Sequence, residues 1–142
     1  TTITGAGSAV ETAYASAGIT GLANEALTID SGTASVAQLV TLDGETTGVI
    51  TATVTEGDIT TLATLVDANS NNALTVTVTD TTVASAALNT LDGKTSVAVT
   101  ATAATTITGA GSAVETAYAS AGITGLGNEA VTVSDSSYTV AQ

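Results

Sequence analysis

TTITGAGSAVETAYASAGITGL, residues 1–22, returns letter for letter at residues 105–126. The offset of 104 persists beyond the identical block, where NEALTIDSGTASVAQ (24–38) faces NEAVTVSDSSYTVAQ (128–142) with its apolar pattern kept. Self-similarity at a fixed spacing is the signature of a repeat architecture. Residues 1–104 therefore read as one full unit and residues 105–142 as the start of the next. A shorter period lies inside the unit: VAQLVTLDGETTGVITATVT (36–55) parallels SAALNTLDGKTSVAVTATAA (85–104) at an offset of 49. Near-identity at long range with divergence at short range implies recent duplication of an already duplicated unit.

Local patterns say what is being repeated. ALTID (26–30), GVITATVT (48–55), ALTVTVT (73–79), VAVTATA (97–103) and AVTVS (130–134) alternate apolar residues with Thr, the period-two pattern of a half-buried strand. Between them lie helical stripes. In residues 58–69 Ile59, Leu62, Leu65 and Val66 share a face behind Asp58 as N-cap; in 82–93 Ala84, Ala87, Leu88 and Leu91 do so before Gly93. Residues 36–44 repeat that arrangement up to Gly44. In the opening block Ser8 and Glu11 have capping-box spacing, Val10, Ala13, Tyr14 and Ala17 form the stripe, and Gly18 is the stop. Strands that alternate with helices pair in parallel, because each helix must cross back over the sheet. The expected fold is α/β: a repetitive solenoid of parallel strand–short helix pairs, about four pairs per 104 residues. A compact flavodoxin-type domain leaves the continuation into an exact copy unexplained, and an all-β helix conflicts with the helical stripes.

Composition bounds the partners. The chain has thirteen Asp and Glu, one Lys and no His, Cys, Met, Trp, Phe or Pro, for a formal charge of −12. One cation cannot neutralise a row of phosphates, which excludes nucleic acid bound by counterion release. No apolar run approaches the ~18–20 residues of a membrane helix, so membrane insertion is not expected. The apolar 44% consists of Ala, Val, Leu and Ile with three Tyr (Tyr14, Tyr118 and Tyr138), so each residue buries little area. Stability must come from a regular hydrogen-bonded backbone and from stacking on neighbours, which points to self-association. The segment reads as an excerpt of something longer. It has no N-glycosylation sequon, although its Ser and Thr permit O-linked sugars.

Chemistry is sparse. Without His or Cys there is no Ser-His-Asp or Cys-His arrangement and no ordinary zinc site. TGAGSA (4–9) lacks the Lys of a phosphate loop and reads as a helix-entry turn. Asp43 with Glu45, and Glu56 with Asp58, have the residue types of glycoside chemistry, yet a solvated surface with N-caps explains them. No enzyme is expected. Two binding readings survive. Asp30, Glu56, Asp58, Asp80 and Asp135 lie where strand gives way to helix, and carboxylates stacked along one edge suit Ca²⁺; the same positions suit caps acting on helix dipoles. Thr51, Thr53 and Thr55, then Thr75, Thr77 and Thr79, then Thr100 and Thr102, form rows on the sheet face away from the helices. Such rows fit ordered water, a glycan or, above all, another copy of the same surface; Thr is also simply a good residue for an exposed strand.

TLDGETTGVITATVT (41–55), TLDGKTSVAVTATA and ALTVTVTDTTVASAALNTLDG resemble repeats of giant cell-surface proteins of cyanobacteria and other aquatic bacteria. Some of that group are linked to surface layers, motility or adhesion. The resemblance implies a secreted, Ca²⁺-bathed structural role and offers no catalytic residues. The expected function is thus a structural repeat of a large extracellular protein forming a fibre, sheath or surface filament. An adhesin-type repeat binding Ca²⁺, glycan or ice is the alternative.

Overall fold

The computed structural model describes residues 1–30 and 33–136. Tyr138 and the tail of the second copy lie outside them. The chain is a mixed α/β structure of parallel strands and short helices. In order these are β1 (Thr2–Gly5), α1 (Gly7–Ala15), β2 (Ala26–Ile29), α2 (Val36–Glu45), β3 (Ile50–Thr53), α3 (Ile59–Leu62) and β4 (Ala73–Thr75). Then follow β5 (Thr82–Ala84), α4 (Ser85–Asp92), β6 (Val99–Thr100), β7 (Thr106–Gly109), α5 (Gly111–Ala119), β8 (Ile123–Thr124) and β9 (Ala130–Val133). The strands form sheets of order β1-β2-β3-β4, β5-β7-β9 and β6-β8, and every pairing among the described residues is parallel. A bridge from Thr77 to Thr100 links the region after β4 to β6. Along the chain, α1 packs on α2, α3 on α4 and α4 on α5.

Alternation sets the faces. Leu27, Ile29, Ile50, Ala52, Leu74, Val76, Val78, Val83, Val99 and Ile107 point inward and are buried. The helices supply Val36, Leu39 and Leu42 from α2 and Leu88 and Leu91 from α4, and one continuous core runs from Val10 to Ile123. Burying each Leu contributes about 1.5–3 kcal/mol, without a single aromatic ring at the centre.

Several expected boundaries shift, each for a local reason. The 58–69 helix is only α3, four residues long. Asp58 caps it as expected, accepting from the Thr61 amide at 2.8 Å. Thr60, Thr61 and Thr64 are weak helix formers, and Asp67 Oδ1 takes the Asn71 amide (3.1 Å) into a turn instead. Leu65 is nonetheless buried, whereas Val66 is exposed. The 82–93 segment begins as strand, because Thr82–Ala84 pair with Thr106–Thr108, and Gly93 caps α4 as expected. Gly44 lies inside α2 rather than ending it. The Ser8–Glu11 box does not form: extended Ala6 is the N-cap and Ser8 already sits in the first turn. The box that exists is Ser35–Gln38 at α2, where the Ser35 hydroxyl accepts from the Gln38 amide and the Gln38 side chain accepts from the Ser35 amide.

Candidate functional site

The acidic turns hold helices together across neighbouring segments. Glu56 Oε2 accepts the amide of Val36, first residue of α2, at 3.0 Å and lies 20 residues further along the chain. Asp80 Oδ2 accepts the amide of Ile59, first residue of α3, at 2.6 Å. Asp135 Oδ2 accepts the amide of Gly111, first residue of α5, at 2.7 Å. Each carboxylate satisfies an orphan donor at the positive end of the preceding helix. Asp58 caps its own helix, and Asp30 is exposed at the end of β2 with its amide bonded to the Gly5 carbonyl at 3.2 Å. Burial pushes the Glu56 carboxyl up, but the Thr55 hydroxyl and Val36 amide outweigh it and leave it below the usual range. The Thr61 amide and Thr60 hydroxyl lower Asp58. Among the described residues no three Asp, Glu, His or Cys come together as a metal group; Glu56, Asp58, Asp80 and Asp135 each bond the first turn of a helix, and Asp30 is exposed at the end of β2.

The repeated TLDG corner has a role that the sequence does not display. Asp43 is 6% exposed. Its Oδ1 accepts from Asn72 Nδ2 at 2.8 Å and its Oδ2 from the Ala68 amide at 3.1 Å, 29 and 25 residues on. Its counterpart Asp92 accepts from the Ser120 hydroxyl at 2.7 Å. Two residues after each Gly, a Thr reaches back: Thr46 donates to the Glu25 carbonyl (2.7 Å) and Thr95 to the Leu74 carbonyl (2.8 Å), both across 21 residues. Each corner therefore staples its segment forward through Asp and backward through Thr. The 49-residue parallel was legible; the direction of the Asp was not, because its partners lie a full segment away. Asp43 points inward while Glu45 is exposed, and Glu56 and Asp58 serve different helices.

The Thr rows lie on the outer face. Thr51, Thr53, Thr55, Thr75, Thr77, Thr79 and Thr102 are exposed and Thr100 is half-buried. Neighbouring strands place Thr28 beside Thr51, Thr53 beside Thr75, and Thr77 beside Thr100 and then Thr124. None of the nine strands among the described residues contains a charged residue.

At the second copy, Val114, Tyr118, Val131 and Val133 line an open apolar groove of about 310 Å³. Tyr118 donates to Glu129 at 2.8 Å; burial, with Glu129 beside it, pushes its hydroxyl up to about 12. No helix among the described residues is long and apolar enough to cross a membrane. No family model, curated protein or solved structure matches this chain.

Proposed function

We propose that this chain is a structural repeat segment of a large extracellular or cell-surface protein, built as a solenoid in which strand–helix steps stack along one axis. The observation that carries this reading is a register repeated 104 residues apart. Thr2 pairs with Ala26 and Gly5 with Ile29, and Thr106 pairs with Ala130 and Gly109 with Val133. The second copy is the same step taken once more, which is how a quasi-one-dimensional array grows.

The groove on the second copy supports the same reading. Val10, Leu27 and Ile29 of the first copy are 2%, 0% and 5% exposed beneath α2 and β3, whereas their counterparts Val114, Val131 and Val133 are 8%, 46% and 37% exposed. A further strand–helix pair set there would cover it as α2 and β3 cover the original. The function that follows is mechanical: identical faces at constant spacing give a fibre, sheath or surface filament whose length is set by the number of units. The acidic composition and the resemblance to giant bacterial surface proteins favour a place outside the cell, and catalysis has no part in the proposal.

Immunogold labelling with an antibody to GSAVETAYA, the sequence shared by α1 and α5, tests it on cells that make the protein. Label along extracellular filaments or a surface sheath is expected. Label confined to the cell interior would overturn the reading.

A further inference from the structure

We infer that the Thr/Ala face of the sheet is a lateral docking surface for the same face of a second copy of this chain. The inference rests on the stacked reading for one point only, that the face lengthens as segments are added.

Charge carries the argument. Thirteen carboxylates and one Lys are distributed over 142 residues, yet all lie outside the nine strands. The outward positions of β2, β3, β4, β6 and β8 are Thr or Ala, among them Thr51, Thr53, Thr75, Thr100 and Thr124, and Thr77 continues the row just beyond β4. Two chains of charge −12 repel wherever carboxylates face each other, and an ion-free sheet is where they can approach with least repulsion. A sugar-binding face wants flat aromatic rings and polar acceptors, but Tyr14 lies on α1 and Tyr118 on α5, away from the strands. A second copy presents the same strand spacing together with the same uncharged Thr/Ala face, so Thr methyls and hydroxyls can meet step by step. A two-fold pairing of like faces satisfies this with one patch.

Size sets the strength. Five strands about 4.8 Å apart and about 15 Å of outward chain give on the order of 400 Å² per partner, against about 800 Å² in a standard interface. Association of a 142-residue chain is therefore weak, and affinity accumulates as segments are added.

Sedimentation velocity of the chain from about 10 µM to 1 mM, in 0.05 and 0.5 M NaCl, tests the inference beside the double variant Thr53→Glu/Thr75→Glu. Both positions are exposed, and circular dichroism establishes that the variant is folded. Reversible dimerisation that tightens several-fold at the higher salt, and that weakens at least tenfold in the double variant, is expected. Thr53→Val/Thr75→Val, which keeps the face flat and uncharged, should retain it. Three results would overturn the inference: a monomer at every concentration, dimerisation unchanged by the Glu pair, or dimerisation that weakens with salt and so depends on opposite charges. A folded monomer that instead sediments with cellulose or chitin particles, and loses this with the Glu pair, would assign the face to glycan and equally overturn it. None of these results bears on whether segments stack, which is read separately from how length grows with unit number.

Discussion

The two copies of TTITGAGSAVETAYASAGITGL are a controlled comparison inside one molecule: the same 22 residues with different neighbours. Their helices are alike, since α1 spans Gly7–Ala15 and α5 spans Gly111–Ala119, each behind an extended Ala. What differs is everything contributed by the preceding segment. Ile19 is 47% exposed, whereas Ile123 is 8% exposed and belongs to β8, paired with β6. Gly5 has room for a methyl group, 3.8 Å from Val10 Cγ2, whereas Gly109 has φ +141° and a methyl there would strike the buried Ser85 hydroxyl. Local sequence sets the helix; neighbouring segments set burial, strand pairing and the need for glycine.

The largest break in this symmetry is expected at glycine. Gly109→Ala combines a backbone conformation costing about 1–3 kcal/mol with a collision worth about 1–3 kcal/mol, for a loss of about 4 kcal/mol in denaturant unfolding. Gly5→Ala meets only ordinary contact and should change stability by under about 1 kcal/mol. Equal effects would mean that the two copies are not set apart by their neighbours. Isoleucine follows: Ile123→Ala empties a packed site and should lose about 3 kcal/mol, while Ile19→Ala should stay within about 0.5 kcal/mol.

Much of this organisation was readable in the sequence. The Thr/apolar alternation located β2, β3, β4, β6 and β9 but not β5, which lay in an expected helix; Asp58 and Gly93 marked a helix start and a helix stop. Ser35–Gln38 has the capping-box pattern and forms the box, whereas at Ser8–Glu11, with the same spacing, the chain runs straight from strand into helix through Ala6. The staples made by Asp43, Asp92, Thr46 and Thr95, and the caps provided by Glu56, Asp80 and Asp135, join residues 20 to 29 apart. Hydrophobic period and local capping rules carry no information at that range. Acidic residues at strand-to-helix turns suggested a cation; of these positions Glu56, Asp80 and Asp135 each bond the first amide of the helix one segment back, and Asp58 caps its own helix.

Smaller effects sharpen the comparison further. Asp135→Ala removes the carboxylate from the first amide of α5 and should cost about 1 kcal/mol, measured as a lower denaturation midpoint; an unchanged midpoint would mean that the cap is dispensable. The pH dependence is smaller per group. Glu25 is lowered chiefly by the Ala23 amide; Glu129 is raised by burial but brought below its ordinary 4.5 by the Gly127 amide and the Tyr118 hydroxyl. A carboxyl depressed in the folded state contributes stability that is present above about pH 4.5 and lost as pH falls through its folded value. Denaturation midpoints should therefore fall progressively below about pH 4.5, and Glu129→Gln should remove part of that slope. A midpoint independent of pH from 6 to 3 would contradict these environments.

Tandem chains of two, four and eight 104-residue units, measured by small-angle X-ray scattering, test the central claim most directly. From α1 to its copy α5 the chain takes four helix steps, which at about 4.8 Å each add about 19 Å per unit. Separate globules of 104 residues, each with a radius of gyration near 13 Å, would add roughly 30 Å or more. A constant increment close to 19 Å in a rigid rod is the predicted result; increments of about 30 Å, or flexible spacing between units, would contradict the stacked array.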